Sequence, residues 1–163
     1  MATPLLIEIF LSSPGDVNTE RGKVRAVADK INHDPMYKDK LKVEVIAWDD
    51  PHADVVMPVT LTPQQAIDLG MKRPSECKIC ITMFWGRMGT PLDTDAHGTK
   101  PDGTPYLSGT EWEYLDALNG AKGHGTGFPV VYLYRRTDEP PPPSPRPGQD
   151  IADAYIEYGT QRK

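Results

Sequence analysis

An α/β fold of the flavodoxin-like kind, a central parallel sheet of four to five strands with helices on both faces, is what this sequence predicts, and three observations predict it. Short apolar runs rich in β-branched residues recur along the chain. The stretches between them carry apolar residues at helical rather than alternating spacing. Glycine, proline and acidic residues mark the junctions where such elements start and stop.

Residues 5–11 (LLIEIFL) form the first run, short and apolar enough for a buried strand. Ser12, Ser13, Pro14, Gly15 and Asp16 end it, and Asp16 is placed to cap a helix over about 17–32, where Val24, Ala28 and Ile31 recur at helical spacing. Arg21 is expected on that helix's exposed face. The second strand is read at 43–48 (VEVIAW), followed by a polar loop over 49–58. Thr62, Pro63 and Gln65 then fit a capping box for a helix to about Leu69, stopped by Gly70. Residues 77–84 (CKICITMF) read as the third strand, 85–108 as a long loop, and 110–121 as a helix with Trp112, Leu115 and Leu118 three apart. The fourth strand is 129–134 (PVVYLY). Strands alternating with helices imply parallel pairing, and the simplest sheet order is 2-1-3-4. The main domain is read as 1–138, a proline-rich loop or linker as 139–149, and 150–163 as the start of a terminal helix leading to further domains; the chain reads equally as a front domain and as complete.

Composition narrows the function. The chain has 163 residues, a net charge of −5 and no basic run longer than a pair such as Arg135-Arg136, which argues against direct nucleic-acid binding. No apolar stretch approaches the roughly 18 residues of a membrane span, and the N-terminus lacks the basic start of a secretion signal. With two cysteines and no disulfide framework, a cytoplasmic protein is expected. In an open parallel sheet, ligands bind beyond the carboxyl ends of the strands where the strand order reverses, here between strands one and three. That crevice gathers Ser12, Ser13, Trp85, Gly86 and Arg87, with Thr110, Glu111 and Glu113 nearby.

Three segments, IFLSSPGDVNTER (9–21), ITMFWGRMGTPL (81–92) and SGTEWEYLDAL (108–118), resemble the Toll/interleukin receptor (TIR) domains of bacterial multidomain proteins, over roughly 4–136. Some TIR domains assemble signalling complexes. Others cleave the nicotinamide–ribose bond of NAD with one glutamate near the start of the helix after the third strand, often in antiphage defence and after self-association. The resemblance therefore implies NAD or a related dinucleotide as substrate, no separate cofactor, a homo-oligomer on activation, and further domains or a sensor partner. The family's glutamate register fits Glu113, followed by Tyr114, Leu115, Asp116, Ala117 and Leu118, better than Glu111. The family commonly has a tryptophan one turn before that glutamate; here Gly109 holds the place, and Trp112 adjoins Glu113.

The chemistry suits one carboxylate. Breaking an N-glycosidic bond develops positive charge on the ribose, which a carboxylate beneath the ring stabilises, and nicotinamide leaves as a neutral base without a general acid. Glu111 and Glu113 point about 200° apart on a helix, so one pocket takes only one of them. The other reading of both is a pair of acids complementing the helix dipole. Phe10 and Trp85 either stack on a ligand ring or pack at the strand ends; Ser12 and Ser13 either bind ribose or phosphate or shape a turn. Arg87 either faces a pyrophosphate or is solvated, and Trp48 either guards the following loop or packs in the core. Cys77 and Cys80, three apart on an expected strand, should face opposite sides and serve as buried thiols rather than a redox or zinc pair. Asp49, Asp50, His52 and Asp54 match no calcium loop, so no metal is expected. An NAD-cleaving enzyme, a non-enzymatic TIR-like adaptor and a nucleotide sensor that binds without cleaving are the functions left standing.

Overall fold

The computed structural model describes residues 3–47, 71–89, 92, 99–123 and 125–140. Within them four strands, β1 (Leu5–Ser12), β2 (Leu41–Ile46), β3 (Ile79–Phe84) and β4 (Val130–Arg135), form one parallel sheet in the order β2-β1-β3-β4. Two helices, α1 (Asn18–His33) and α2 (Gly109–Gly123), and two short 3-10 turns, Gly15–Val17 and Pro74–Glu76, complete the described elements. This is the flavodoxin-like order that the apolar runs predict. The expected helix over 62–69, the polar loop over 49–58, Trp48, the proline-rich stretch from 141 onward and the expected terminal helix lie outside the described residues.

Both faces of the sheet are covered, and the strand pleat sorts the side chains between them. On one face Phe10 and Cys80 pack with Cys77 and with Ala117 of α2. On the other, Leu11 and Met83 pack with Val17, Ala47 and the half-buried Val24 of α1. Adjacent residues Phe10 and Leu11 are thus both fully buried, one on each side, which is why the carboxyl half of β1 is apolar on both faces. Burying each contributes roughly 2–3 kcal/mol. On the side of β2 away from β1, the Asn32 side chain pairs with the strand: its amide donates to the Val43 carbonyl at 2.8 Å and its oxygen accepts the Val43 N–H at 2.7 Å.

Strand boundaries differ by one or two residues from expectation because pairing decides them. β2 starts at Leu41, opposite Leu5 at the start of β1. β3 starts at Ile79, since Cys77 closes the preceding 3-10 turn through its N–H to the Pro74 carbonyl at 3.2 Å. Cys77 and Cys80 therefore do not face opposite sides; both enter the α2-side core. The expectation of buried thiols stands, and burial pushes each up to about 12.

The buried residues of α2 are Thr110, Trp112, Glu113, Ala117 and Gly120, not the Trp112, Leu115, Leu118 series; Glu113 and Ala117 face the sheet, and Trp112 lies under the Arg73 guanidinium at 5.4 Å. Small side chains let the helix lie close. A Cβ on Gly120 would sit 2.7 Å from the Ser75 Cβ and 2.9 Å from its Cα. Asp116 latches the same junction, accepting from the Arg73 guanidinium at 2.6 Å and the Ser75 N–H at 2.9 Å.

Gly120→Ala should therefore destabilise. Alanine is favoured in a helix by about 1 kcal/mol, but overpacking against backbone costs about 1–3 kcal/mol. A lower urea midpoint with an unchanged slope is the expected result. Neither cysteine should react with a thiol reagent at pH 8 in the folded protein, and both should react in urea, as counted by mass spectrometry.

Candidate functional site

The site forms where β1 ends. Ser12 is the last residue of β1, paired with Thr82 of β3, and both are fully buried. The Ser12 hydroxyl donates to the Glu113 carboxylate at 2.6 Å, joining β1 to the first turns of α2. Glu113 is itself 4% exposed, a carboxyl in a position where a sheet-facing helix ordinarily carries an apolar side chain. Burial pushes its carboxyl up to about 7; the Ser12 hydrogen bond and then the Arg21 guanidinium pull it down and lose. A carboxyl divided between its two charge states near neutral pH is suited to chemistry, as a charged stabiliser or nucleophile when ionised.

Arg21 corrects the sequence reading. It is 1% exposed, not on the open face of α1, and its guanidinium donates to the Ser13 carbonyl at 3.5 Å. Burial, then the neighbouring Arg25, lowers it to about 10, while Glu113 acts in the opposite sense. Asp16 is a second correction. It does not cap α1, which begins two residues later after a 3-10 turn. Its carboxylate instead accepts the backbone N–H groups of Gly86 at 2.9 Å and Arg87 at 3.2 Å, clasping the loop that leaves β3 to the loop that leaves β1. The clasp lies where strand order reverses, and the exposed Arg87 side chain lies over Gly15, whose added Cβ would meet it at 3.6 Å.

Glu111 points elsewhere. Its carboxylate accepts from Lys100 at 3.1 Å and from the Leu107 N–H at 2.5 Å. The buried Ser108 hydroxyl accepts the Glu111 N–H at 3.2 Å and donates to the Met88 carbonyl at 2.6 Å. Ser108 is thus the N-cap of α2, and the spacing Ser108-x-x-Glu111 is a sequence signal that would have identified it.

The structure gathers Ser12, Ser13, Arg21 and Glu113 at one place. Phe10 is not at the crevice; it lies 1% exposed in the α2-side core. Trp85 packs toward the α1 layer, its ring covered by the Arg136 guanidinium at 3.9 Å and its indole N–H bonded to the Asp138 carbonyl at 2.9 Å. Trp48 lies outside the described residues. Among the described residues, no group of three or more His, Cys, Asp or Glu side chains could hold a metal, and no helix is long and apolar enough to cross a membrane.

Comparison with known proteins finds no family model, no curated protein and no solved structure that matches the chain.

The buried carboxyl makes stability depend on pH. The folded protein holds the Glu113 proton up to about 7, against 4.5 for the ordinary group. The folded state therefore binds more protons between these values, and the contribution of Glu113 is fully present below pH 4.5 and lost as pH rises through 7. Relative to Glu113→Gln, the wild-type chain should lose about 3 kcal/mol of unfolding free energy between pH 4.5 and 8. Urea titrations of both proteins across that range measure the difference.

Proposed function

We propose that this chain is a TIR-type domain that cleaves the nicotinamide–ribose bond of NAD, with Glu113 as the catalytic carboxylate. The observation that carries the reading is the Glu113 carboxyl, buried in the sheet-facing stripe of α2 and held by Ser12 at the carboxyl edge of a parallel sheet. The switch-point rule favours a ligand at this edge, and the TIR resemblance of 9–21, 81–92 and 108–118 supports a dinucleotide as that ligand. When ionised, Glu113 stabilises the positive charge that develops on the ribose as neutral nicotinamide departs. Ser12 keeps the carboxylate oriented toward the ring. Glu111, tied to Lys100 and the Leu107 N–H, serves the cap of α2 and not the reaction.

Near-complete burial of Glu113 fits a resting domain that self-association opens. Such a domain is a cytoplasmic effector, used in antiphage defence or related signalling, whose further domains or sensor partner supply the trigger.

A second reading, a TIR-like adaptor that assembles without cleaving NAD, draws on the β4 edge. Tyr132, Leu133 and Tyr134 are 46–55% exposed there. Beside them a groove of about 390 Å³ is lined by Val17, Val24, Ile81, Met83 and Tyr134, and Glu113 takes no part in it. Apolar surface of this kind is what association buries.

Released nicotinamide decides between the two. Assembled wild-type protein incubated with NAD should release it, and Glu113→Gln should reduce the rate on the order of 100-fold or more. Glu111→Gln should leave the rate within a few-fold and lower stability by about 1 kcal/mol through the weakened cap. Full activity in Glu113→Gln would remove the proposed chemistry. Assembly without nicotinamide release would leave the adaptor.

A further inference from the structure

A buried guanidinium at the exit of β1 has no step in the chemistry above. Arg21 lies in the first turns of α1, on the opposite layer from α2, yet its side chain is 1% exposed and reaches the exit of β1. There it donates to the carbonyl of Ser13, the residue directly after the serine that bonds Glu113. Three elements thus meet through consecutive residues: α1 holds Ser13, β1 presents Ser12, and Ser12 holds the α2 carboxyl. The layered fold would be satisfied by an apolar side chain at position 21. An arginine there introduces a charge whose desolvation is expensive unless an opposite charge and hydrogen-bond acceptors lie close by.

We propose that Arg21 is a positioning residue for Glu113: its buried guanidinium fixes the Ser12–Ser13 exit of β1 against α2 and supplies the positive charge that keeps Glu113 available as a carboxylate. The inference deepens the NAD-cleaving reading, which needs that carboxylate ionised, but its first test makes no use of NAD. The groups that act on Glu113 are the Ser12 hydroxyl from β1 and the Arg21 guanidinium from α1. The Cys80 thiol of β3 lies within electrostatic reach, pushed up by burial and further by Glu113, and is neutral near pH 7. Arg25, one turn along α1, acts on Arg21. Arg21 is thus the cation that opposes the burial of Glu113 from the α1 layer.

Carbon-13 NMR of glutamate-labelled protein, with the Glu113 signal assigned by its loss in Glu113→Gln, reads the charge state directly. The wild-type signal should titrate near 7. Arg21→Gln keeps a polar side chain and removes the charge; its Glu113 midpoint should rise by about one pH unit or more, a tenfold gain in proton affinity. Arg21→Lys retains the charge, and its midpoint should stay within about half a unit of wild type. A folded Arg21→Gln protein that titrates like wild type overturns the inference. If Arg21→Gln is unfolded at pH 8, the charge coupling requires it to fold at pH 5, where Glu113 is neutral, and requires Arg21→Gln/Glu113→Gln to fold at both; failure to fold at pH 5 also overturns it. Nicotinamide release then separates the two proposals. Where NAD is cleaved, the acid limb of the pH profile should move up in Arg21→Gln by the same interval as the NMR midpoint. A moved midpoint in a protein that never releases nicotinamide would retain Arg21 in this role and sink the enzymatic reading.

Discussion

The distance at which α2 lies from the sheet constrains everything at the candidate site. Ala117 leaves room for Phe10 and Cys80 of the sheet, and Gly120 lies against Ser75 of the turn before β3, whose Cβ and Cα would be 2.7 Å and 2.9 Å from an added Cβ. Asp116 locks that approach through Arg73 and the Ser75 N–H. One turn nearer the helix start, the same stripe carries Glu113, which is driven into the layer boundary by the packing of its neighbours. The carboxyl is therefore buried by the helix's approach, and Ser12 is the hydroxyl that meets it there.

The energetics of that burial explain the unusual charge state. Removing a carboxylate from water costs several kcal/mol even after relaxation, whereas one hydrogen bond to a charged group returns about 1.5–3 kcal/mol. Ser12 alone therefore leaves a deficit, and the group holds its proton to about 7. Arg21 narrows the deficit by charge from the α1 layer. A protein selected for stability alone would place an apolar pair at 12 and 113. The polar cluster lowers stability above neutral pH, and such a concession is common where chemistry needs a carboxylate with an adjustable charge.

The β4 edge raises a separate question of cover. The run 130–135 has the composition of a buried strand, yet most of it is exposed, because β3 is its only described neighbour. On the α1 layer the groove between Val24 and Tyr134 continues this uncovered surface. An enzyme opened by assembly and an adaptor both need a surface that copies can bury, so this edge is compatible with either.

The order of elements and the parallel sheet were legible in the sequence, because period, turn residues and crossover rules are local or depend on chain order alone. The position of Glu113 near the strand ends was legible from chain order, and the cap formed by Ser108 and Glu111 is a local signal. Arg21, Asp16 and the two cysteines were not. Arg21 reads as exposed on a helix wheel, but its long side chain reaches a buried acceptor that belongs to the preceding strand exit. Asp16 reads as a cap, but two N–H groups of the β3 loop, distant in sequence, take its carboxylate. Cys77 and Cys80 enter one core because a 3-10 turn interrupts the expected strand between them. Sequence by itself determined which segments are strands and helices and in what order they pair; only the tertiary structure decided which polar groups are buried together, since desolvation depends on neighbours that the chain brings in from far away.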